Sequence, residues 1–239
     1  MKTSKESRKK PNRSSPSASR KGTTHRKADK TSKVVCPPIG SGGPLARLKN
    51  LSPVPISKLG DDPTYYLSRL FPENRLKSLG TSLHRCMTGQ LSEFARPLRK
   101  FGLVVPAYMS ARWGLSKQSL DEGTNVQGPR TNANTEKVRF VVFQSENLTL
   151  AEQFAAIWRL RAKRPLVMVT HSGPGTGTFE AWFATKALDE PQIREFRKYA
   201  AALGAPKSVF INAHPYALPG GTTENGLKIK VIYWNPSAI

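Results

Sequence analysis

Apolar and polar residues follow regular patterns in the last hundred residues of the chain. Four runs there are rich in β-branched and aromatic residues and predict strands: VRFVVF (138–143), LVMVT (166–170), TFEAWFAT (178–185) and KIKVIYW (228–234). Between them lie two segments with helical apolar spacing, Leu150, Phe154, Ile157 and Leu160 in one and Ile193, Phe196, Ala200 and Leu203 in the other.

Both predicted helices begin at a capping signal. Thr149 precedes Glu152 by three residues and Asp189 precedes Gln192 by the same spacing, which is typical of a capping box. Gly204 is expected to end the second helix. The resulting order, β-α-β-β-α-β, predicts an α/β (α+β) fold on the split-βαβ plan of ferredoxin-like and RNA-recognition-motif (RRM)-like proteins. Two helices then cover one face of an antiparallel sheet, and the other face is left for a ligand or a second lobe.

Three regions precede this unit. We expect residues 1–37 to be a disordered basic arm and residues 38–62, rich in Pro, Gly and Ser, to be a surface linker. Residues 63–136 predict a smaller N-terminal α/β lobe, which packs with the RRM-like lobe of residues 137–239. Within the smaller lobe we expect a helix in PTYYLSRLF and a second one in LSEFARPLRKF that is interrupted at Pro97. We also expect a short buried strand in GLVVPAYM that ends at Pro106, and a long loop over 110–136.

Positive charge changes this picture from a fold to a function. The formal net charge is +22, and residues 1–35 hold twelve Lys/Arg against Glu6 and Asp29, a net of +10. No fold requires such an excess, so it predicts a polyanionic partner, DNA or RNA. The arm has no large apolar residue before Val34 and cannot offset its chain entropy by burial. Its Lys9 and Lys10 are candidate phosphate contacts, with a solvated solubility tail as the alternative.

Other function classes are disfavoured. The arm is not followed by the apolar stretch of a signal peptide, and no 18-residue apolar run occurs, so we expect no membrane partner and no secretion. A cytoplasmic, nucleoid-associated location is expected, or a nuclear one in a eukaryote, where SRKKPNR could act as an address. Cys36 and Cys86 form no CxxC pair, which favours reduced structural thiols.

The segment SGPGTGT (172–178) predicts either a phosphate-binding loop or a flexible hairpin turn. Glycines allow backbone N–H groups to converge on an anion, so Ser172, Gly173 and Thr178 are candidate phosphate contacts. The segment lacks the Lys of a Walker A loop. His171 borders it and is a candidate catalytic residue, or else a structural histidine.

Two carboxylates are the main catalytic candidates. Glu146 follows the first strand and Glu180 lies in the third, so they could share a site and hold Mg²⁺ or Mn²⁺, although solvated strand-end acids are a common alternative. Alternation places Trp182 on the same face as Glu180, where it is a candidate for stacking on a base, or else a core residue. Lys228 and Lys230 of the last strand are candidate nucleic-acid contacts.

Six segments together resemble, in order and spacing, primase-like proteins of the archaeo-eukaryotic primase (primase-polymerase) superfamily from plasmids, phages and other mobile elements. They span roughly residues 65–239: GLVVPAYMSARWG (102–114), GPRTNANTEKVRFVVFQSENLTLAEQ (128–153), RPLVMVTHSG (164–173), FEAWF (179–183), FRKYAAALGAP (196–206) and LPGGTTENG…VIYWNP (218–236). The resemblance implies that residues 137–239 are a primase-type lobe acting in DNA replication.

The resemblance also assigns roles, and this chain departs from several of them. The family's acid-x-acid motif falls on Gln144 and Glu146, so one acid is missing. His171, Ser172 and Gly173 match the family's phosphate loop, but its Lys is absent and Glu180 stands where a histidine is expected. Ala217 replaces an arginine, whereas Arg130 matches a retained basic position.

These departures remove metal-binding and triphosphate-binding charge. The sequence therefore predicts a primase-like replication protein that binds nucleic acid, with single strands favoured and a helicase or other replication protein as a possible partner, and that is degenerate as a catalyst. Two alternatives stay open: an active metal-dependent primase-polymerase that uses Glu146 and Glu180, and a coat or nucleoid-type packaging protein with a cationic arm. The sequence does not define the oligomeric state.

Overall fold

A computed structural model describes residues 36–39, 41–94, 98–116, 121, 123, 126–171 and 177–239. The described residues belong to one compact unit, Val34–Ile239. The predictions for the basic arm with Lys9 and Lys10, and for Ser172 and Gly173, lie outside the described residues.

Short strands occur along the whole described chain. They are β1 (Lys77–Gly80), β2 (Cys86–Gly89), β3 (Leu103–Val104), β4 (Ala107–Met109), β5 (Gly114–Leu115), β6 (Gln127–Gly128), β7 (Thr135–Val138), β8 (Phe140–Phe143), β9 (Leu166–His171), β10 (Phe179–Ala184), β11 (Tyr216–Ala217) and β12 (Lys230–Trp234). Four α-helices lie wholly within the described ranges: α1 (Gly43–Asn50), α2 (Pro63–Leu70), α3 (Leu150–Arg161) and α4 (Glu190–Ala202).

The main sheet has the order β12-β9-β10-β8, and all its neighbours are antiparallel. Since β10 lies between β8 and β9, these two strands run in the same direction with a strand inserted between them, which is a split β-α-β arrangement. The predicted alternation of strands and helices in this half is confirmed. The fold is a mixed α+β fold with several antiparallel sheets, and the RRM-like detail stays a prediction.

Local signals explain both long helices. The Thr149 hydroxyl accepts a hydrogen bond from the Glu152 N–H, and the Glu152 carboxylate accepts one from the Thr149 N–H at 2.8 Å. Asp189 and Gln192 form the same reciprocal cap on α4. These caps satisfy N–H groups that the first turn of a helix leaves without partners.

Strand β10 divides the main sheet into two faces. Phe179, Ala181 and Phe183 are buried toward the helices, and Phe183 packs against Phe196 of α4 at 5.4 Å between ring centroids. Trp182 points the other way and is also fully buried. That second face is covered by aromatic residues from outside the main sheet: Phe71, which packs on Phe140, and Tyr216, which packs on Trp182.

A second four-stranded sheet has the order β11-β3-β1-β2. Its edge strand β11 comes from residues 216–217, so the sheet combines chain from both sides of the predicted lobe boundary after residue 136. A close backbone approach accompanies this pairing: a Cβ at Gly221 would lie 2.4 Å from the Phe101 carbonyl oxygen. Glycine is therefore required there by space.

The prediction that residues 38–62 form a surface linker is wrong over Gly43–Asn50, where helix α1 forms. Pro44 lies at the start of α1, where a missing N–H costs nothing and φ already suits a helix. Leu48 is fully buried, and the Val54 N–H donates to the Trp234 carbonyl at 3.3 Å. The proline- and glycine-rich composition of this region therefore marks a helix start and packed turns.

Two further local predictions need correction. In LSEFARPLRKF the described residues form 3-10 turns at Leu91–Phe94 and Leu98–Lys100 in place of an α-helix. Pro97, at which the sequence predicts an interruption, lies outside the described residues. The expected loop over residues 110–136 also contains β5, β6 and the start of β7.

None of the helices in the described part of the chain has the length and apolar character needed to span a membrane.

Candidate functional site

Glu146 and Glu180 line the same cleft, which has a volume of about 430 Å³. The turn after β8 supplies Gln144 and Glu146, β10 supplies Glu180, and His214 also lines the cleft. We call this the acidic cleft. The sequence predicted that the two carboxylates could meet; their catalytic and metal-binding roles stay predictions.

A hydrogen bond fixes the turn that carries Gln144 and Glu146. Ser145 between them is fully buried, and its hydroxyl donates to the Gly204 carbonyl at 2.8 Å. Gly204 itself has φ +107°, a left-handed conformation that favours glycine. The end of α4 therefore holds the turn, with Glu146 exposed and Gln144 half-buried at its rim.

Glu180 is half-buried, and its Oε2 accepts a hydrogen bond from the Ala217 N–H at 2.7 Å. Ala217 lies in β11, the edge strand of the second sheet, so this N–H points away from its strand neighbour and needs a partner. Burial raises the pKa of Glu180 to about 7, and the bond from Ala217 opposes that rise only in part. Glu180 therefore completes an edge strand, and its charge is costly in this position.

These residues do not fit a two-ion metal site. Such a site needs several clustered carboxylates, but Gln144 is an amide and one Glu180 oxygen already receives an N–H. Across the described ranges, no group of three or more His, Cys, Asp or Glu is placed to hold a metal ion. Binding of Mg²⁺ or Mn²⁺ at Glu146 and Glu180 stays a prediction, and we derive no reaction step from it.

His171 lies on the opposite face of the main sheet from Glu180. In the β9–β10 register His171 pairs with Phe179, whereas Glu180 pairs with Thr170, and successive residues of a strand point to opposite faces. The His171 and Phe179 rings pack at 5.7 Å, and burial, followed by the charge of Lys49, lowers the pKa of His171. The structure therefore does not bring His171 to Glu146 and Glu180.

The histidine that lines the acidic cleft is His214, which the sequence did not single out. Burial lowers its pKa, and the neighbouring Arg130 charge adds to this effect, so a neutral imidazole is favoured. The register between β9 and β10, which pairs His171 with Phe179, separates His171 from Glu180, and the sequence alone does not give this register. The placement of His214 depends on the path of residues 205–215, for which the sequence carries no comparable local signal.

Arg130 lies in a second cleft, of about 360 Å³, which we call the Arg130 cleft. Its guanidinium donates to the carbonyls of Ala213 and Leu83, both at 2.7 Å. No carboxylate pairs with it among the residues described. His214 lines this cleft as well as the acidic cleft, so the two adjoin.

The expectation that Trp182 stacks on a base is wrong. Its side chain is fully buried, with ring centroids 5.7 Å from Phe140 and 6.0 Å from Tyr216. It is a core residue, because the sheet face on which it lies is covered.

The remaining candidates lie near the start of β10 and β12. Thr178 is half-buried directly before β10, and Lys230 is exposed and pairs with His171. Lys228 is exposed and forms an isolated bridge with Thr222. Their contact with nucleic acid stays a prediction.

No family model matches the chain, and no curated protein matches it. Among solved structures, the chain is similar to the AEP domain of the cyanophage S-2L primase-polymerase (PrimPol). The identity is 14%, the alignment covers 74% of this chain and 94% of that one, and the TM-score is 0.48. The identity and the TM-score are both low, so this likeness does not establish a family or a function for the chain.

Proposed function

We propose that this chain is a primase-like replication protein that binds nucleic acid and does not support efficient nucleotidyl transfer. The observation that carries the proposal is the positive charge that the fold does not use internally. The sequence holds 38 Lys/Arg against 16 Asp/Glu, and in the described ranges only Arg75, Arg112 and Arg139 form ion pairs with carboxylates. An excess that is not neutralised within the protein is expected to meet phosphates.

The primase-like part of the proposal rests on the six-segment sequence resemblance. The catalytic part is supported by the acidic cleft. Glu146 is the one family acid left in its motif, and Glu180 is engaged by Ala217 with a raised pKa. Without clustered charged carboxylates, a site cannot hold the ions that neutralise a transferring phosphoryl group.

The test has two measurements on the full-length protein. The first is binding of single-stranded and duplex oligonucleotides, for which we expect saturable binding that weakens with salt. The second is incorporation of labelled nucleotides on a single-stranded template with Mg²⁺ or Mn²⁺, for which we expect none above background. Gln144→Glu restores the missing acid and tests whether that loss alone prevents transfer.

The proposal that the protein does not support efficient nucleotidyl transfer would be overturned if the natural sequence incorporates nucleotides robustly and Glu146→Ala abolishes this incorporation. This result would instead support the second candidate, an active primase-polymerase, which is favoured by one observation: Glu146 and Glu180 do line one cleft. Absence of nucleic-acid binding at low salt would overturn both candidates.

A further inference from the structure

Trp113 is unusually exposed for its type. Its residue exposure is 59%, whereas Trp182 and Trp234 are fully buried and Trp158 stacks on Phe154. In the described part of the chain no aromatic ring or cation contacts the Trp113 ring. A large indole left open to water beside a cleft is more informative than an exposed aliphatic residue, because such surfaces mark binding sites.

The backbone on both sides of Trp113 is held in place. On one side, Arg112 forms two hydrogen bonds of 2.7 Å with the Glu93 carboxylate and donates to the Thr88 carbonyl at 3.2 Å. On the other side, Gly114 approaches Thr131 so closely that a Cβ would lie 2.4 Å from its Oγ1. The exposed indole is therefore carried by a fixed segment, and ordering it on a ligand costs little backbone entropy.

Trp113 belongs to the segment of residues 113–115, which reaches the Arg130 cleft at Leu115; we call this segment the Trp113 rim. Leu115 lines that cleft and lies two residues further along the chain, so its Cα is at most about 7 Å from that of Trp113. The Arg130 guanidinium uses two of its five N–H donors on carbonyls and keeps its charge without a carboxylate partner in the residues described. An aromatic face and an uncompensated cation thus adjoin one cleft.

We propose that the Trp113 rim and the Arg130 cleft bind a single-stranded nucleic acid, with an unpaired base stacked on Trp113 and a phosphate at Arg130. This inference rests on the proposed function and gives it a location. Single strands are specified because a base inside a duplex cannot offer its face to a side chain, whereas an unpaired base stacks on any accessible aromatic ring. The strand would run toward the acidic cleft, because His214 borders both clefts.

The test compares full-length variants for binding to a fluorescent oligothymidylate over a salt series, with oligouridylate as a second probe that separates DNA from RNA. We expect Trp113→Ala to weaken binding by roughly 5- to 150-fold, the range for one lost base–aromatic stack. Trp113→Phe should retain most of the affinity. Leu227→Ala removes an exposed apolar side chain from the turn before β12 and is expected to have no effect.

The slope of log K against log salt separates the two contacts. Trp113→Ala should leave the slope unchanged, because stacking releases no counterion. Arg130→Met should make it shallower by about 0.7, the value for one phosphate contact with a single strand, and Arg130→Lys should restore it. The binding strand should also quench tryptophan fluorescence in the natural sequence and not in Trp113→Phe.

The outcomes distinguish this inference from the proposed function. If the natural sequence binds but Trp113→Ala, with an unchanged melting temperature, binds equally well, the Trp113 site is wrong and the proposed function stands. If Trp113→Ala weakens duplex and single-strand binding alike, the stacking argument is wrong. If the natural sequence binds neither probe, both proposals are overturned.

Discussion

Glu180 gives a direct prediction about pH and stability. The ordinary pKa of a glutamate side chain is 4.5, and burial raises the pKa of Glu180 to about 7. Between these two values the native state holds a proton that the unfolded state has released. The contribution of this group to stability is therefore fully present below pH 4.5 and is lost as the pH rises through 7.

The substitution Glu180→Gln isolates this contribution. The Gln side-chain oxygen can still accept the Ala217 N–H, but the residue no longer titrates. A difference of about 2.5 pKa units at about 1.4 kcal/mol each sets an upper bound of about 3–4 kcal/mol for the effect. We expect the free energy of unfolding of the variant, relative to the natural sequence, to rise by up to that amount between pH 4.5 and pH 8.

Urea denaturation at a series of pH values measures this difference, and comparison within each pH cancels the other titrating groups. Glu146→Gln is the matched control, because Glu146 lines the same cleft but is exposed. A difference between Glu180→Gln and the natural sequence that stays constant across the series would show that Glu180 is not held in a costly charged state.

Three further changes test other parts of the structure. Deleting residues 1–35 should weaken nucleic-acid binding and flatten its salt dependence, measured as the slope of log K against log salt, because a +10 segment is lost; an unchanged slope would contradict this. Trp182→Ala should cost about 3–5 kcal/mol in a denaturation experiment while the folded fraction binds normally, since Trp182 is core. Gly221→Ala should lower the melting temperature more than Gly60→Ala, because a Cβ at Gly221 meets the Phe101 carbonyl at 2.4 Å and one at Gly60 meets nothing within 4 Å; equal losses would refute the steric argument.

What the sequence predicted well are the features that a few neighbouring residues decide. The caps at Thr149 and Asp189 each span four positions, so the starts of both long helices can be predicted from the sequence alone. Strand alternation along β10 likewise separated Glu180 and Trp182 from Phe179. The same local signals failed at Pro44, where a residue that usually interrupts a helix instead begins one.

What the sequence could not predict depends on distant parts of the chain. Alternation placed Trp182 on a face but did not show that Tyr216 and Phe140 cover it. His214 enters the acidic cleft from a segment that is more than thirty residues from Glu180. The 59% exposure of Trp113 could not be predicted from the sequence either, since apolar residues at strand ends are buried more often than not.

The contact between Glu180 and Ala217 depends both on local strand alternation and on the packing of distant parts of the chain. Glu180 belongs to the main sheet and Ala217 to the edge strand of the second sheet, so the bond spans the junction at which the acidic cleft lies. Truncating the side chain would leave a backbone N–H without its partner, at a cost of about 1–3 kcal/mol. A carboxylate at this position is thus useful to the fold whether or not it binds a metal ion, and its presence alone is weak evidence for catalysis. The cleft can accordingly keep its shape without the clustered charged carboxylates that metal-dependent phosphoryl transfer requires.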